Sequence, residues 1–251
     1  ESPAGVGRER RVLVTFDVDG TLMRSTGGPS SNLLHRQAFS HAFLHVFGIP
    51  DASIDVVQHH GQTDPIILVK TPVHYGISYD LATEKLPELK SSMISYAREH
   101  ANDIGEGLEV LPGVASLLEA LSLEENVSIG LVTGNLEDIA WMKMAGLGIL
   151  KFFTAPNFGG FGSDHSDRGE LVKIAADRAR GLFPGGFDLR VHVGDTPNDI
   201  KAAEHGGALA VGVCTGIFSG EDLRKASCGD AVILSDLTDT KAFMSLLGIA
   251  K

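Results

Sequence analysis

Two aspartates, Asp17 and Asp19, directly follow residues 11–16, an apolar run that is typical of a buried strand. In parallel α/β sheets, reactive groups collect in the crevice beyond the carboxyl ends of the strands. One carboxylate at such an edge could attack an electrophile while the other transfers a proton. A plain polar turn would explain an Asp-Gly pair equally well. The distant residues described next favour an active-site edge.

A second strand end carries a hydroxyl and a helix start. The apolar run 129–132 leads into Thr133-Gly134-Asn135, and a helical pattern begins immediately afterwards. A hydroxyl beside the free N–H groups of a helix start can bind an anion such as phosphate. Thr133 or Asn135 would also serve as an ordinary helix cap, so this segment alone leaves both interpretations open.

A third strand end contributes two more carboxylates. Residues 191–193 read as a strand and lead into Gly194-Asp195-Thr196-Pro197-Asn198-Asp199. Asp195 and Asp199 would meet Asp17 at the same sheet edge, where like charges about 4 Å apart cost roughly 4 kcal/mol at an effective dielectric constant near 20. A hard cation relieves this repulsion, and oxygen ligands alone indicate Mg²⁺.

Composition narrows the class of protein. The chain has 251 residues, 43% of them hydrophobic, and 32 acidic against 21 basic residues give a net charge of −11. This charge and the lack of any basic run argue against a nucleic-acid partner. No apolar stretch is long enough to cross a bilayer, and the polar start lacks the apolar core of a signal peptide. We expect a cytoplasmic protein, in which Cys214 and Cys228 are ordinary thiols.

Strand and helix patterns alternate along most of the chain, which predicts the α/β class. We expect a Rossmann-like parallel sheet core with helices on both faces, formed by residues 1–24 and 108–251. Residues 25–107 show helical patterns without a convincing strand and predict an inserted α-helical cap domain. Glycines at both ends of this insert could act as hinges. The predicted cap helices and hinges are 30–47, 65–69, 81–101, Gly27-Gly28 and Gly105-Glu106-Gly107.

These motifs resemble those of the haloacid dehalogenase superfamily of phosphotransferases. Asp17-Val18-Asp19-Gly20-Thr21 resembles the first motif, Thr133-Gly134-Asn135 the second, and 194–199 the fourth. The resemblance implies that Asp17 is the nucleophile and that Asp19 protonates the leaving group and then activates water. It also implies that Mg²⁺ is held by Asp17, the backbone carbonyl of Asp19 and Asp195, with Asp199 close by. The helical insert resembles a C1-type cap.

The third motif of the superfamily, a lysine often followed by proline, has no direct match. Arg168 stands at the start of a predicted helix over 169–180 and is our candidate for the phosphate-facing cation. Lys173 is the alternative, although it lies within the helix. Arg168 could instead be a surface charge paired with Asp164 or Asp167. An arginine would bind phosphate oxygens through its planar fork.

Three further segments allow more than one interpretation. Thr63 and Asp64 lie in a short polar break of the insert and could bind substrate, or Asp64 could cap the helix that begins at Pro65. The pair His59-His60 lacks a third metal ligand and is predicted to be polar cap surface. The glycines of 159–162 lack the signature of a nucleotide-binding loop and are predicted to form a turn.

The sequence therefore predicts a Mg²⁺-dependent phosphatase that acts on a small phosphomonoester, with phosphoglycolate as an example. Thr133 would assist catalysis, and Gly134 and Asn135 would bind the substrate phosphate. A phosphomutase of the β-phosphoglucomutase type shares every core motif and is the main alternative. A dehalogenase does not need an acid at Asp19, so carbon–halogen cleavage is disfavoured. The partner is a small phosphate ester, and the chain could be a monomer or a homodimer.

Overall fold

The computed structural model describes residues 10–27 and 32–249. Residues 1–9 of the predicted polar start, Gly28 of the predicted hinge and residues 30–31 of the first predicted cap helix lie outside this part. The strands in the described part are β1 Val12–Phe16, β2 Met23–Ser25, β3 Leu108–Val110, β4 Val127–Thr133, β5 Gly159–Phe161, β6 Leu189–Gly194, β7 Leu209–Val213 and β8 Val232–Leu234.

The helices of the same part surround these strands. They are α1 Leu33–Phe47, α2 Asp64–His74, α3 Tyr79–Glu84, α4 Leu86–Glu99, α5 Val114–Ser122, α6 Glu137–Gly146, α7 Arg168–Leu182, α8 Pro197–His205, α9 Gly220–Ala226 and α10 Thr240–Leu246. Within 10–27 and 32–249, every helix is too short or too polar to span a membrane.

Six parallel strands form the central sheet, in the order β5-β4-β1-β6-β7-β8. Strand β1 lies between β4 and β6, and Phe16 at its end pairs with Leu131 on one side and Val193 on the other. The chain first builds the sheet to one side of β1 and then to the other. Such a reversal opens a crevice at the carboxyl ends of the strands. The predicted α/β class is confirmed.

Helices cover both faces of the sheet. Successive residues of β1 point to opposite faces, so each residue packs against the helices on its own side. Val12 and Val14 pack in one apolar cluster with residues of α5 and α10, including Leu118 and Phe243. Leu13, between them, packs in another cluster with residues of α7. Every residue of β1 is buried, as expected for a parallel strand with helices above and below it.

Residues between the first two core strands form a separate helical layer. Strands β2 and β3 pair in antiparallel orientation, with Ser25 opposite Leu108, so the two ends of the insert lie side by side. Helices α1 and α4 pack closely around Phe39, Phe43 and other apolar residues. The same cluster includes Leu136 and Ile139 of the core, which attaches the insert to α6.

Two predicted elements differ from the structure. The single helix predicted over 81–101 is divided into α3 and α4, because Pro87 lacks an amide hydrogen and suits the first turn of a new helix. The turn predicted over 159–162 is wrong for 159–161, which form the edge strand β5. A Cβ on Gly160 would lie 2.0 Å from the carbonyl oxygen of Leu171, so only glycine fits between β4 and α7.

The core packing predicts a strong effect of truncating Phe243. Its side chain is 2% exposed, and its ring stacks on Phe16 with the centroids 6.3 Å apart. We expect Phe243→Ala to lower the free energy of unfolding by about 3–5 kcal/mol, because truncating a buried aromatic ring leaves a cavity. Urea denaturation measures the change. Leu123→Ala, at a residue that is 76% exposed, is the control. Equal losses in the two variants would contradict this description of the core.

Candidate active site

Three neighbouring strands deliver the predicted residues to one edge of the sheet. Asp17 follows β1, Thr133 ends β4, and Asp195 follows β6. The amide of Asp17 donates to the carbonyl of Val193 at 2.9 Å, which continues the ladder between the strands and fixes the backbone of Asp17. A cavity of about 470 Å³ opens above this edge and is lined by all three residues.

The turn after Asp17 requires glycine at position 20. Gly20 has a φ of 82°, in the left-handed region that side-chain-bearing residues rarely adopt. A Cβ on Gly20 would also lie 2.3 Å from Oδ2 of Asp195. The Asp-Gly pair that marks a turn in the sequence therefore brings two carboxylate-bearing loops into direct contact.

Asp17, Asp195 and Asp199 form a buried carboxylate cluster. One oxygen from each lies within 4.8 Å of the others. Burial raises the pKa of Asp17 to about 6, against the opposing effect of Arg168. Burial also raises the pKa of Asp195 to about 8, and the charges of Asp199 and Asp17 add to this effect. The carboxyl group of Asp19 lies outside this cluster. The resemblance assigns the backbone carbonyl of Asp19, not its carboxyl group, to the metal.

Arg168 is the cation that faces the cluster. Its Nη2 lies 3.0 Å from Oδ1 of Asp17 and 2.6 Å from Oδ1 of Asp199, and the side chain is 8% exposed. Burial opposes its charge, but Asp199 and Asp17 raise the pKa of Arg168 above its usual value. Within the described residues, its buried Nε has no hydrogen-bond partner. Arg168 also lines the cavity beside Asp17, so its guanidinium faces the space where an anion could bind.

The neighbours of Arg168 discriminate among the interpretations left open by the sequence. Lys173 lies outside the cavity and binds Glu170 at 2.7 Å. Asp164 pairs with Arg178, and Asp167 caps α7 by accepting from the amide of Gly169. Neither acid pairs with Arg168, which is free to face the carboxylate cluster.

Asp199 supports the site but has few free acceptor positions. Its Oδ2 accepts from the amide and hydroxyl of Thr196 in a capping box at the start of α8. Its Oδ1 accepts from Arg168 at 2.6 Å and lies 3.4 Å from Nε2 of His192. Although burial raises the pKa of Asp199, Arg168 lowers it well below its usual range. Asp199 therefore orients Arg168 and α8 and leaves metal binding mainly to its neighbours.

The cluster fits a divalent cation such as Mg²⁺. Three carboxylates and one guanidinium leave two uncompensated negative charges when all are ionised. Among the described residues, Oδ1 of Asp195 accepts from the hydroxyl of Thr21 at 3.2 Å, and Oδ2 has no hydrogen-bond donor. Hard oxygen donors of this kind suit Mg²⁺. Asp17 and Asp195 are the side chains that would hold the ion.

Asp19 has a different environment from Asp17. Nζ of Lys143 lies 2.8 and 2.9 Å from the two carboxylate oxygens of Asp19, and the side-chain amide of Asn135 donates to one of them at 2.9 Å. Burial would raise the pKa of Asp19, but the ammonium of Lys143 lowers it to about 2. The two carboxyl groups of the first motif therefore have pKa values shifted in opposite directions.

Lys143 is the residue that the sequence prediction missed. It is completely buried on α6, on the helix face that also carries Ile139 and Met144. A lysine within such an apolar stripe is a signal, because an ammonium is buried only when it is paired. His35, which contacts Lys143 at 3.0 Å, carried no comparable signal.

The second motif lies beside Asp19. Thr133 lines the cavity and accepts from the amide of Asn135 at 3.3 Å. The side chain of Asn135 is engaged by Asp19 and Lys143. Gly134 accepts from the amide of Asp64 at 2.7 Å. A Cβ at this glycine would lie 2.5 Å from the carbonyl oxygen of Gln62, so the insert packs directly on this turn.

Thr63 and Asp64 do not occupy equivalent positions. Thr63 is outside the cavity and donates to the carbonyl of Ser166 at 3.4 Å. Asp64 lines the cavity, but its Oδ2 accepts from the amide of Leu136 at 2.9 Å and contacts Nε2 of His35 at 3.1 Å. The expectation that both residues contact substrate is therefore not met by Thr63, and Asp64 links the insert to the core.

The insert supplies the opposite wall of the cavity. This wall includes Arg36, Phe39 and the pair His59-His60, whose rings lie 4.4 Å apart. The two histidines, predicted as cap surface, thus also face the cavity. A substrate bound to the carboxylate edge would contact both the core and the insert.

Comparison with known proteins identifies the family. Residues 12–207 match the family model described as haloacid dehalogenase-like hydrolase, and the chain belongs to this family. The phosphoglycolate phosphatase of Salmonella typhi is 28% identical over 224 residues, which cover 83% of each chain. A hydrolase from Pseudomonas syringae superposes with a TM-score of 0.62 at 22% identity, over 96% of this chain and all of that one. A structure from Clostridium acetobutylicum, described as a predicted phosphatase, gives 0.64 at 17% identity, over 94% and 100%.

The carboxylate cluster predicts that protons and Mg²⁺ compete. Both Asp17 and Asp195 have raised pKa values, about 6 and about 8, so without metal they retain protons at pH values where free aspartates are ionised. Mg²⁺ must displace these protons. We expect the Kd for Mg²⁺ to fall by up to about tenfold per pH unit for each displaced proton as the pH rises from about 6 to about 8. Isothermal titration calorimetry in buffers of different ionisation enthalpy measures both affinity and proton release. A pH-independent affinity over this interval would contradict the prediction.

Proposed function

We propose that this protein is a Mg²⁺-dependent phosphatase that hydrolyses a small phosphomonoester through an aspartyl-phosphate on Asp17. The observation that supports it most strongly is the pairing of Asp17 with Arg168 at 3.0 Å, next to Asp195. A buried carboxylate nucleophile, a cation paired with it and carboxylates that suit a metal are the components that phosphoryl transfer requires. When bound, Mg²⁺ would neutralise charge on the phosphate oxygens.

In the first step, a carboxylate oxygen of Asp17 attacks phosphorus, and the bond between phosphorus and the leaving oxygen breaks. Arg168 lines the cavity beside Asp17, and its guanidinium binds a phosphate oxygen and orients the group. The leaving oxygen takes a proton from Asp19. A phosphate dianion beside Asp19 raises the pKa of this carboxyl group, since a nearby negative charge disfavours the ionised form.

In the second step, a water molecule attacks phosphorus and the bond to Asp17 breaks, which releases inorganic phosphate. Asp19 accepts the proton of that water. The pairing with Lys143, which lowers the pKa of Asp19 to about 2, supports this ionised, proton-accepting state. Asp17 and Asp19 thus perform different tasks because Lys143 contacts only the second.

The insert over 25–107 is proposed to act as a cap that selects the substrate. Its side chains form one wall of a cavity of about 470 Å³, which suits a small phosphorylated metabolite. The relatives in Salmonella typhi and Pseudomonas putida are phosphoglycolate phosphatases, so phosphoglycolate is the first substrate to test. Glucose phosphates belong on the same panel, because a phosphomutase would isomerise them rather than release phosphate.

The central test is the substitution Asp17→Asn. It keeps the shape of the side chain but removes the attacking charge and one metal ligand, so we expect phosphate release from the panel to fall to background. Chelation of Mg²⁺ should have the same effect on the unmodified protein, with recovery on readdition. Asp177→Asn, at an exposed aspartate paired with Arg180, is the control and should keep full activity. Substantial turnover by folded Asp17→Asn would overturn the proposal.

Arg168 is predicted to contribute far more than Lys173. Removing a charge-stabilising donor in a buried site costs about 10²–10³-fold in rate, so we expect Arg168→Ala to lose that much in kcat/KM. Lys173→Ala, at an exposed residue that binds Glu170, should change kcat/KM less than twofold. Steady-state kinetics on one ester compare the variants, and thermal melting confirms that each is folded. Similar losses in both variants would argue against Arg168 as the phosphate-facing cation.

A further inference from the structure

The side chain of Lys143 is completely buried. Its ammonium contacts both carboxylate oxygens of Asp19, Oδ1 of Asn135 at 2.8 Å and Nδ1 of His35 at 3.0 Å. A buried ammonium is costly unless paired and fully hydrogen-bonded. The three acceptor residues match the three protons of the ammonium, so Lys143 is held rigidly.

The contact with His35 extends the arrangement into the insert. An ammonium has no acceptor, so Nδ1 of His35 must accept from Lys143, and the ring proton resides on Nε2. Nε2 then donates to Oδ2 of Asp64, 3.1 Å away. His35 and Asp64 are 6% and 3% exposed. A continuous chain of buried hydrogen bonds therefore runs from helices α1 and α2 through Lys143 to Asp19.

Asp64 is itself anchored to the core at two points. Its Oδ2 accepts from the amide of Leu136, at the start of α6, and its amide donates to the carbonyl of Gly134. The position of Asp64 is thus set by the second motif and by the seating of the insert on it. Displacement of α1 from the core would remove the acceptor His35 from Lys143, and displacement of α2 would remove the acceptor Asp64 from His35.

Asp19 and Lys143 differ in access to the cavity. The Asp19 side chain is 36% exposed, and the Lys143 side chain is 0% exposed. Lys143 lies behind Asp19, away from any substrate, and holds both carboxylate oxygens from that side. It does not line the cavity that Asp19 faces.

We propose that Lys143 is a positioning residue that orients the carboxylate of Asp19 toward the leaving group, and that His35 and Asp64 of the insert hold Lys143 in place. This inference rests on the proposed phosphatase function and deepens it. Asp19 is correctly oriented for proton transfer only while α1 and α2 are seated on the core. The insert thereby acts on the chemistry through Lys143, as well as by forming the cavity wall.

The leaving group distinguishes positioning of Asp19 from a general structural role. An alkyl phosphate needs a proton on its leaving oxygen, whereas p-nitrophenyl phosphate releases a stable phenolate without one. We expect Lys143→Met, which leaves an unbranched side chain without the ammonium, to lower kcat/KM for an alkyl phosphate by about 10²-fold, a typical value for general acid catalysis. The loss for p-nitrophenyl phosphate should be at least about tenfold smaller.

Two controls accompany this variant. Lys173→Met, the same change at an exposed lysine of α7, should leave kcat/KM for both esters unchanged. In an Asp19→Asn background, Lys143→Met should cause no further loss on p-nitrophenyl phosphate, because residues that act through one another are not additive. This double variant also removes both buried charges together.

Asp64→Asn tests whether the insert holds Lys143 in place through His35. It also tests the inference if Lys143→Met does not fold. It should show the same preferential loss on the alkyl ester, smaller in size, because Lys143 remains in place. Equal losses on both esters in a folded variant, or no loss on either, would overturn the inference. These outcomes differ from failure of the proposed function. If the proposed function fails, the unmodified protein releases no phosphate or Asp17→Asn remains active.

Discussion

The energetic cost of burying several carboxylates at one sheet edge governs the arrangement of the rest of the site. Like charges about 4 Å apart repel by roughly 4 kcal/mol at an effective dielectric constant near 20, in addition to the loss of hydration. Two buried cations compensate the negative charge of these carboxylates. Arg168 binds Asp17 and Asp199, and Lys143 binds Asp19. The remaining excess charge lies around Asp17 and Asp195, where a divalent cation would compensate it.

This division produces two chemically different carboxyl groups only two residues apart. Burial raises the pKa of Asp17 to about 6, and Lys143 lowers the pKa of Asp19 to about 2 although burial opposes it. Pairs of titratable groups with pKa values shifted apart are typical of acid, base and nucleophile assignments in enzymes. The two aspartates of the Asp-x-Asp pattern differ because they contact different helices. Helix α7 supplies Arg168, which binds Asp17, and α6 supplies Lys143, which binds Asp19.

Local sequence patterns were sufficient for the residues that follow strands. Parallel strands bring their carboxyl ends to one edge, so Asp17, Thr133 and Asp195 could be grouped once β1, β4 and β6 were recognised. Contacts that depend on how the insert sits on the core were not predictable in this way. Asp64 caps a helix of the core rather than its own, and Thr63 faces Ser166 outside the cavity. The apolar stripe around Lys143 was a signal, but its partners Asp19 and His35 are 124 and 108 residues away, so its role could not be read locally.

The central claim is that Asp17 carries the phosphoryl group during turnover. The most direct measurement is rapid acid quenching of a single turnover with a hydrolysed ester, followed by mass spectrometric mapping of the phosphorylated peptide. We predict transient phosphorylation of Asp17 that rises and decays at rates consistent with kcat, with no label in Asp17→Asn. Turnover of the ester without phosphorylation of Asp17, or with the label on another residue, would contradict this account.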